Sequence, residues 1–143
     1  MKQDPMSSPN TSPTSQLAPG LEGHASAIVT PNLMAPAVGS GTVAVYATPS
    51  LVALMEKAAV NCVEEKLAAG HATLGVHLDV SHTAATPEGL EVSATATLTS
   101  VEGRKLVFSI IARDSREQIG KATHTRIVVD TARFNAKLAA KAP

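Results

Sequence analysis

Two side chains break otherwise regular patterns, and a third lies where a polar group could join them in chemistry. Glu56 falls in a helical pattern in which Leu51, Leu54, Met55, Ala58, Ala59, Cys62 and Val63 recur at core spacing. At 100° per residue it lines up with Val52, Ala59 and Val63, beside the apolar stripe and away from the polar face of Lys57, Asn61 and Glu64. A carboxylate there needs a partner or a route to water, because burying it bare is costly. His82 breaks a strand pattern in the same way. It shares parity with Leu74, Val76, Leu78 and Val80, which predicts that it continues the face directed at the helix. A carboxylate and an imidazole on facing core surfaces form a candidate acid/base pair. Each also has a plain structural reading, as a boundary glutamate reaching solvent and a neutral core histidine.

Thr48 precedes Pro49, and this pair reads first as a helix start, with the threonine hydroxyl capping an orphan amide. Its second reading is positional, since a helix N-terminus favours developing negative charge. Thr48 and Glu56 are eight residues apart, about 12 Å along a helix axis. A bridging group such as His82 would be needed to join them.

The elements that must position these residues follow from periodicity. The helix is predicted over about 49–69, closed by Gly70. A first strand is expected at HASAIVT (24–30), then a Gly/Ala/Pro-rich loop or helical turn from Pro31 to Thr48. After Gly70 the period changes to two, giving strands around 73–82, 90–99, 106–113 and 118–130, with turns at EGRK (102–105) and DSRE (114–117). The ending FNAKLAAKAP reads as a short, partly helical tail. One long helix followed by an antiparallel meander implies an α+β fold in which the sheet wraps around the helix, the hot-dog arrangement. Residues 1–20, rich in Pro, Ser and Thr, are expected to be a disordered leader to a single domain over 21–143.

Composition removes other classes. Lys plus Arg number 12 against 12 Asp plus Glu, and 2% of residues are aromatic, with no Trp. Neither a basic field nor a stacking platform for nucleic acid is present. One cysteine, Cys62, cannot make an internal disulfide and falls in the helix stripe as a small core residue. No apolar run approaches the roughly 20 residues of a membrane helix, and the basic-then-apolar order of a secretion signal is missing. A soluble cytoplasmic protein is expected. The five histidines lack zinc spacing, and His77 with Asp79, on one strand face, reads as solvated surface rather than a metal site.

The stretches TPSLVALMEKAA (48–59) and TLGVHLDVSHTAATPEGLEV (73–92), with SVEGRKLVFSIIARD, IGKATHTR and FNAKL downstream, resemble the hot-dog thioesterase family that includes fluoroacetyl-CoA thioesterase. The resemblance runs from about residue 40 to residue 138. It implies hydrolysis of an acyl-CoA thioester without a cofactor, CoA being part of the substrate. The family's catalytic threonine, glutamate and histidine fall on Thr48, Glu56 and His82. Its glycine near the thioester falls on Gly75 and its pocket arginine on Arg126. Similar proteins are homodimers joined sheet edge to sheet edge, which could pair again into tetramers, with the acyl group near the interface. The fluoroacetyl enzyme's aromatic lid has no phenylalanine counterpart, because segment 38–47 reads VGSGTVAVYA, with Tyr46 the sole aromatic nearby, and the two phenylalanines are Phe108 and Phe134. A general small or medium acyl-CoA is therefore the expected substrate, rather than fluoroacetyl-CoA. Arg104, Lys105, Arg113 and Arg116, at the turns, are candidates to meet CoA phosphates. Two other readings remain: a non-catalytic acyl-binding or assembly module, and a dehydratase of hydroxyacyl thioesters.

Overall fold

A computed structural model describes residues 12–143. The elements in chain order are β1 (Glu22–Ile28), α1 (Ala35–Val38), α2 (Thr48–Val63), β2 (His71–His82), β3 (Glu91–Glu102), β4 (Lys105–Asp114), β5 (Gln118–Asp130) and α3 (Thr131–Lys141). Short 3-10 turns at Pro31–Leu33 and Glu64–Lys66 flank the first two helices. The five strands form one antiparallel sheet in the order β1-β3-β4-β5-β2, so β1 and β2 are its edges.

The sheet curls around α2, and the seven buried residues of that helix are those whose spacing marked a core stripe. They meet Val92, Ala94, Ala96 and Leu98 of β3, Leu106, Phe108, Ile110 and Ala112 of β4, and Ile119, Ala122 and Val128 of β5. With so few aromatics the core is filled by small aliphatic side chains, and the layers sit close. At Gly23 the approach is closest. A methyl group there would overlap the backbone of Ala58 and Cys62, so β1 lies directly on the helix. Asn61 Nδ2 donates to the His24 carbonyl at 2.8 Å across this contact.

Four expectations need correction. The helix stops at Val63 rather than near residue 69, tightening into a 3-10 turn. Gly70 (φ 79°) serves the turn into β2 instead of ending α2. β1 occupies Glu22–Ile28, two residues earlier than expected, which places Gly23 against the helix. The leader is not free of structure over residues 12–20. Leu17 is buried in the core, Gly20 N–H donates to the Leu98 carbonyl at 2.8 Å, and Thr14 Oγ1 donates to the Gly103 carbonyl at 3.4 Å. A single apolar anchor and a few turn hydrogen bonds hold this stretch, a signal too sparse for periodicity to reveal. The rest of the leader, residues 1–11, lies outside the described residues.

A further correction concerns β2. Its pairing with β5 slips by one residue between Gly75 and His77, leaving Val76 as a bulge. A one-residue slip exchanges the two faces of a strand. Thr73 and Gly75 therefore face α2 before the bulge, and Leu78, Val80 and His82 face it after. Leu74 and Val76, expected on the helix side, are 37% and 57% exposed.

Candidate active site

Thr48 is the first residue of α2, and Ala47 occupies the N-cap position without a side-chain cap. The capping reading of Thr48 is thus overturned, and its hydroxyl is available elsewhere. It makes a 2.7 Å hydrogen bond with His82 Nδ1. Burial pulls the His82 pKa below the ordinary histidine value, favouring the neutral ring. His82 Nε2 is buried without a hydrogen-bond partner among the described residues. Tyr46 packs edge-on against the imidazole, with centroids 6.4 Å apart. Its hydroxyl donates to the Ser50 carbonyl at 3.1 Å, and burial raises its pKa to about 12, so the phenol stays protonated.

The loop after His82 is pinned from two sides. Thr86 accepts the Tyr46 N–H at 2.8 Å through its carbonyl and donates its hydroxyl to Asp114 at 2.8 Å. Burial raises the Asp114 pKa, but hydrogen bonds from Arg116 N, Thr86 and Glu117 N outweigh this and hold it below the usual carboxylate value. A cleft of ≈ 370 Å³ opens beside the Thr48–His82 pair, lined also by Val43, Val45, Tyr46 and Ala84. That volume lies in the range of small-molecule pockets, about 300–1,000 Å³.

Glu56 belongs to a second cluster, farther along α2. Its carboxylate accepts from Arg126 Nη1 at 3.0 Å and remains 41% exposed. Arg126 is almost wholly buried and also donates through Nε to Thr73 Oγ1 (2.8 Å) and through Nη2 to the Thr73 carbonyl (3.1 Å). Gly75 makes the cluster possible. A methyl group at that position would overlap the Glu56 carboxylate and lie 3.1 Å from Arg126 Nη1 and 3.2 Å from His124 Cε1. Gly75→Ala is therefore expected to push the carboxylate from its place and lower kcat about 10–100-fold, while the melting temperature changes little. Steady-state kinetics beside thermal melting checks this, and a variant with unchanged kcat would remove the role assigned to the glycine.

The five expected residues thus divide between two places. Thr48 and His82 share one hydrogen bond; Glu56, Gly75 and Arg126 share another cluster, and His82 does not bridge to Glu56. His124, which zinc-type spacing gave no reason to select, joins the second group with Nε2 3.1 Å from Arg126 Nη1. The signal for it was available, since His124 has the inward parity of Ala122, Arg126 and Val128, the same anomaly that singled out His82. Among the described residues, no three His, Cys, Asp or Glu side chains are grouped to hold a metal; His77 and Asp79 are exposed on β2. No helix among them is long and apolar enough to cross a membrane.

The family described as fluoroacetyl-CoA-specific thioesterase matches residues 29–132. The fluoroacetyl-CoA thioesterase of Streptantibioticus cattleyicolor is 46% identical over 99 residues, 69% of this chain and 71% of that protein. A solved structure of fluoroacetyl-CoA thioesterase superposes with a TM-score of 0.84 at 37% identity, over 89% of this chain and 98% of that one. A mutant of that enzyme in complex with acetyl-CoA gives 0.83 at 36% identity, over 89% and 100% of the two chains. A hot-dog-like protein from Thermanaerovibrio acidaminovorans, at 22% identity, shares the fold with a TM-score of 0.82 over 91% and 96% of the chains. The chain belongs to the fluoroacetyl-CoA-specific thioesterase family, has the hot-dog fold and is a thioester hydrolase.

Proposed function

We propose that the protein hydrolyses small or medium acyl-CoA thioesters with Thr48, Glu56 and His82 as its catalytic residues. The observation that carries this reading is the 2.7 Å Thr48–His82 hydrogen bond at the start of α2, beside an open cleft. Thioester hydrolysis needs an oxyanion to be stabilised, an oxygen nucleophile supplied and a thiolate released. The N-terminus of α2 polarises the thioester carbonyl, and the cluster of Gly75 and Glu56 that completes the site comes from a second copy of the chain. Glu56 supplies the attacking carboxylate or activates water, and His82, oriented by Thr48, moves the proton. The acyl group needs no cofactor, and cytoplasmic acyl-CoA pools are the natural source of substrate.

Substrate breadth follows from the lining of the cleft. Segment 38–47 contributes Thr42, Val43 and Val45 there, while Phe108 is buried in the core and Phe134 lies on α3. No phenylalanine lines the cleft and Tyr46 supplies its one benzenoid ring, which favours a range of acyl chains over fluoroacetyl alone.

A homodimer fits the separation of the two clusters. The β2 edge is unpaired on its outer side, and Leu74 and Val76 are exposed along it. Antiparallel pairing of two β2 edges would carry the Thr48–His82 pair of one copy toward the half of β2 where the Glu56 cluster of the other copy lies. Sedimentation of the native protein would show the dimer.

The functional test is thiol release across acyl-CoAs from acetyl to octanoyl, plus fluoroacetyl, for wild type and His82→Ala. Wild type is expected to hydrolyse several saturated chains, and His82→Ala to lose about 10²–10⁴-fold in kcat/KM. Turnover of saturated chains excludes a dehydratase. Silence of a folded wild-type protein across the panel would favour an acyl-binding module instead.

A further inference from the structure

We propose that His124 is a positioning residue whose Nε2 lone pair fixes the Arg126 guanidinium, and through it the Glu56 carboxylate, in one orientation. The inference rests on the reading of Glu56 as catalytic. His124 is 1% exposed, so its hydrogen bonds are decided by protein alone. Nδ1 lies 2.7 Å from the carbonyl oxygen of His77, the first residue beyond the β2 bulge. A carbonyl only accepts, so Nδ1 carries the proton. Nε2 lies 3.1 Å from Arg126 Nη1, and a guanidinium only donates, so Nε2 must present its lone pair. The two partners together select one neutral tautomer.

The groups facing His124 are Arg126 on its own strand, Glu56 from α2 and His77 from β2, with the Phe108 ring from β4 at 6.0 Å. Burial lowers its pKa; the hydrogen bond to His77 opposes this, Arg126 reinforces it and Glu56 opposes it. The net direction is downward, in agreement with the tautomer that geometry selects. Glu56 Oε2 is 3.9 Å from Nε2, too long for a hydrogen bond, so the histidine reaches the carboxylate only through the arginine. Arg126 Nη1 divides its protons between Glu56 and His124, while Nε and Nη2 are held by Thr73. Without the imidazole acceptor, one edge of a buried guanidinium loses its partner and the fork can turn away from Glu56.

Two substitutions separate this role from a merely structural one. In His124→Asn the amide can still donate to the His77 carbonyl, but the acceptor for Arg126 is gone. In His124→Gln the side-chain oxygen reaches the Nε2 position and restores the acceptor. Kinetics with acyl-CoA should show kcat down about 10–100-fold in His124→Asn with KM within about threefold, and His124→Gln within about threefold of wild type. In an Arg126→Met background, His124→Asn should add no further loss, because the residue acts through the arginine. Wild-type kcat in His124→Asn, equal impairment in His124→Gln, or losses that multiply in the double variant would each overturn the proposal. Should the asparagine variant not fold, the glutamine variant decides: near-wild-type kcat supports the role and a large loss refutes it. Glu56→Gln is assayed in parallel. Full activity there would overturn the reading of Glu56 itself, whereas an inactive Glu56→Gln beside an active His124→Asn would remove only the role of His124.

Discussion

Glu56→Gln is expected to lower kcat by about 10²–10⁴-fold, the range typical of losing a general base or a carboxylate nucleophile. The amide keeps the size of the carboxylate, and its oxygen can still accept from Arg126 Nη1, now at 3.0 Å from Glu56 Oε2. Packing is therefore preserved while the charge and the basic oxygen are removed. KM should change by no more than about threefold, the pattern of a residue that acts on the chemical step rather than on substrate binding. Thiol release and thermal melting measured on the same preparation check the result. Full activity in a folded variant would leave the Thr48–His82 pair to act without the carboxylate, and the mechanism would have to be rewritten around it.

The largest expected effect on stability comes from Gly23→Ala. The added methyl meets backbone atoms of Ala58 and Cys62, which cannot swing aside as a side chain could. Either β1 lifts from α2 or the helix shifts within a core where Leu51, Met55, Ala58, Ala59 and Val63 have no exposed surface. Overpacking of this kind costs about 1–3 kcal/mol and occasionally more, and here the upper end is expected because both colliding partners are main chain. The Asn61–His24 hydrogen bond and that from Cys62 Sγ to the Leu21 carbonyl (3.3 Å) would be strained together. Urea unfolding at one fixed protein concentration measures it, and a midpoint equal to wild type would show that β1 can move without loss.

Much of this architecture is legible in the sequence because helix and strand leave different periods. The α2 stripe could be read to the residue, since every third or fourth apolar side chain meets the same sheet. The meander could be read because its strands alternate cleanly between core and solvent. What periodicity cannot report is a change of phase. The bulge at Val76 is invisible to counting, although an isolated glycine within a strand, here Gly75, is the usual mark of one. Thr48 was ambiguous for another reason. A Thr-Pro step satisfies the capping pattern whether or not the hydroxyl is used for it, and only the fold shows it turned toward His82. His124 was legible by the parity that revealed His82, but a search for metal spacing asks about neighbours in sequence, whereas this histidine finds its partners across strands.

The β2 bulge has a further consequence. In a regular strand with the His82 phase, Leu74 and Val76 would point at α2 and close over Glu56 with hydrocarbon. The extra residue turns both side chains outward and presents Thr73 and the bare backbone of Gly75 instead. Burying a Leu or Val side chain fully is worth about 1.5–3 kcal/mol, so the fold forgoes a share of that at each position. Held in one regular register without the bulge, the same sequence would pack a more oily protomer with no room left for a carboxylate. The irregular strand thus records a stability–activity trade-off, localised in a single inserted residue.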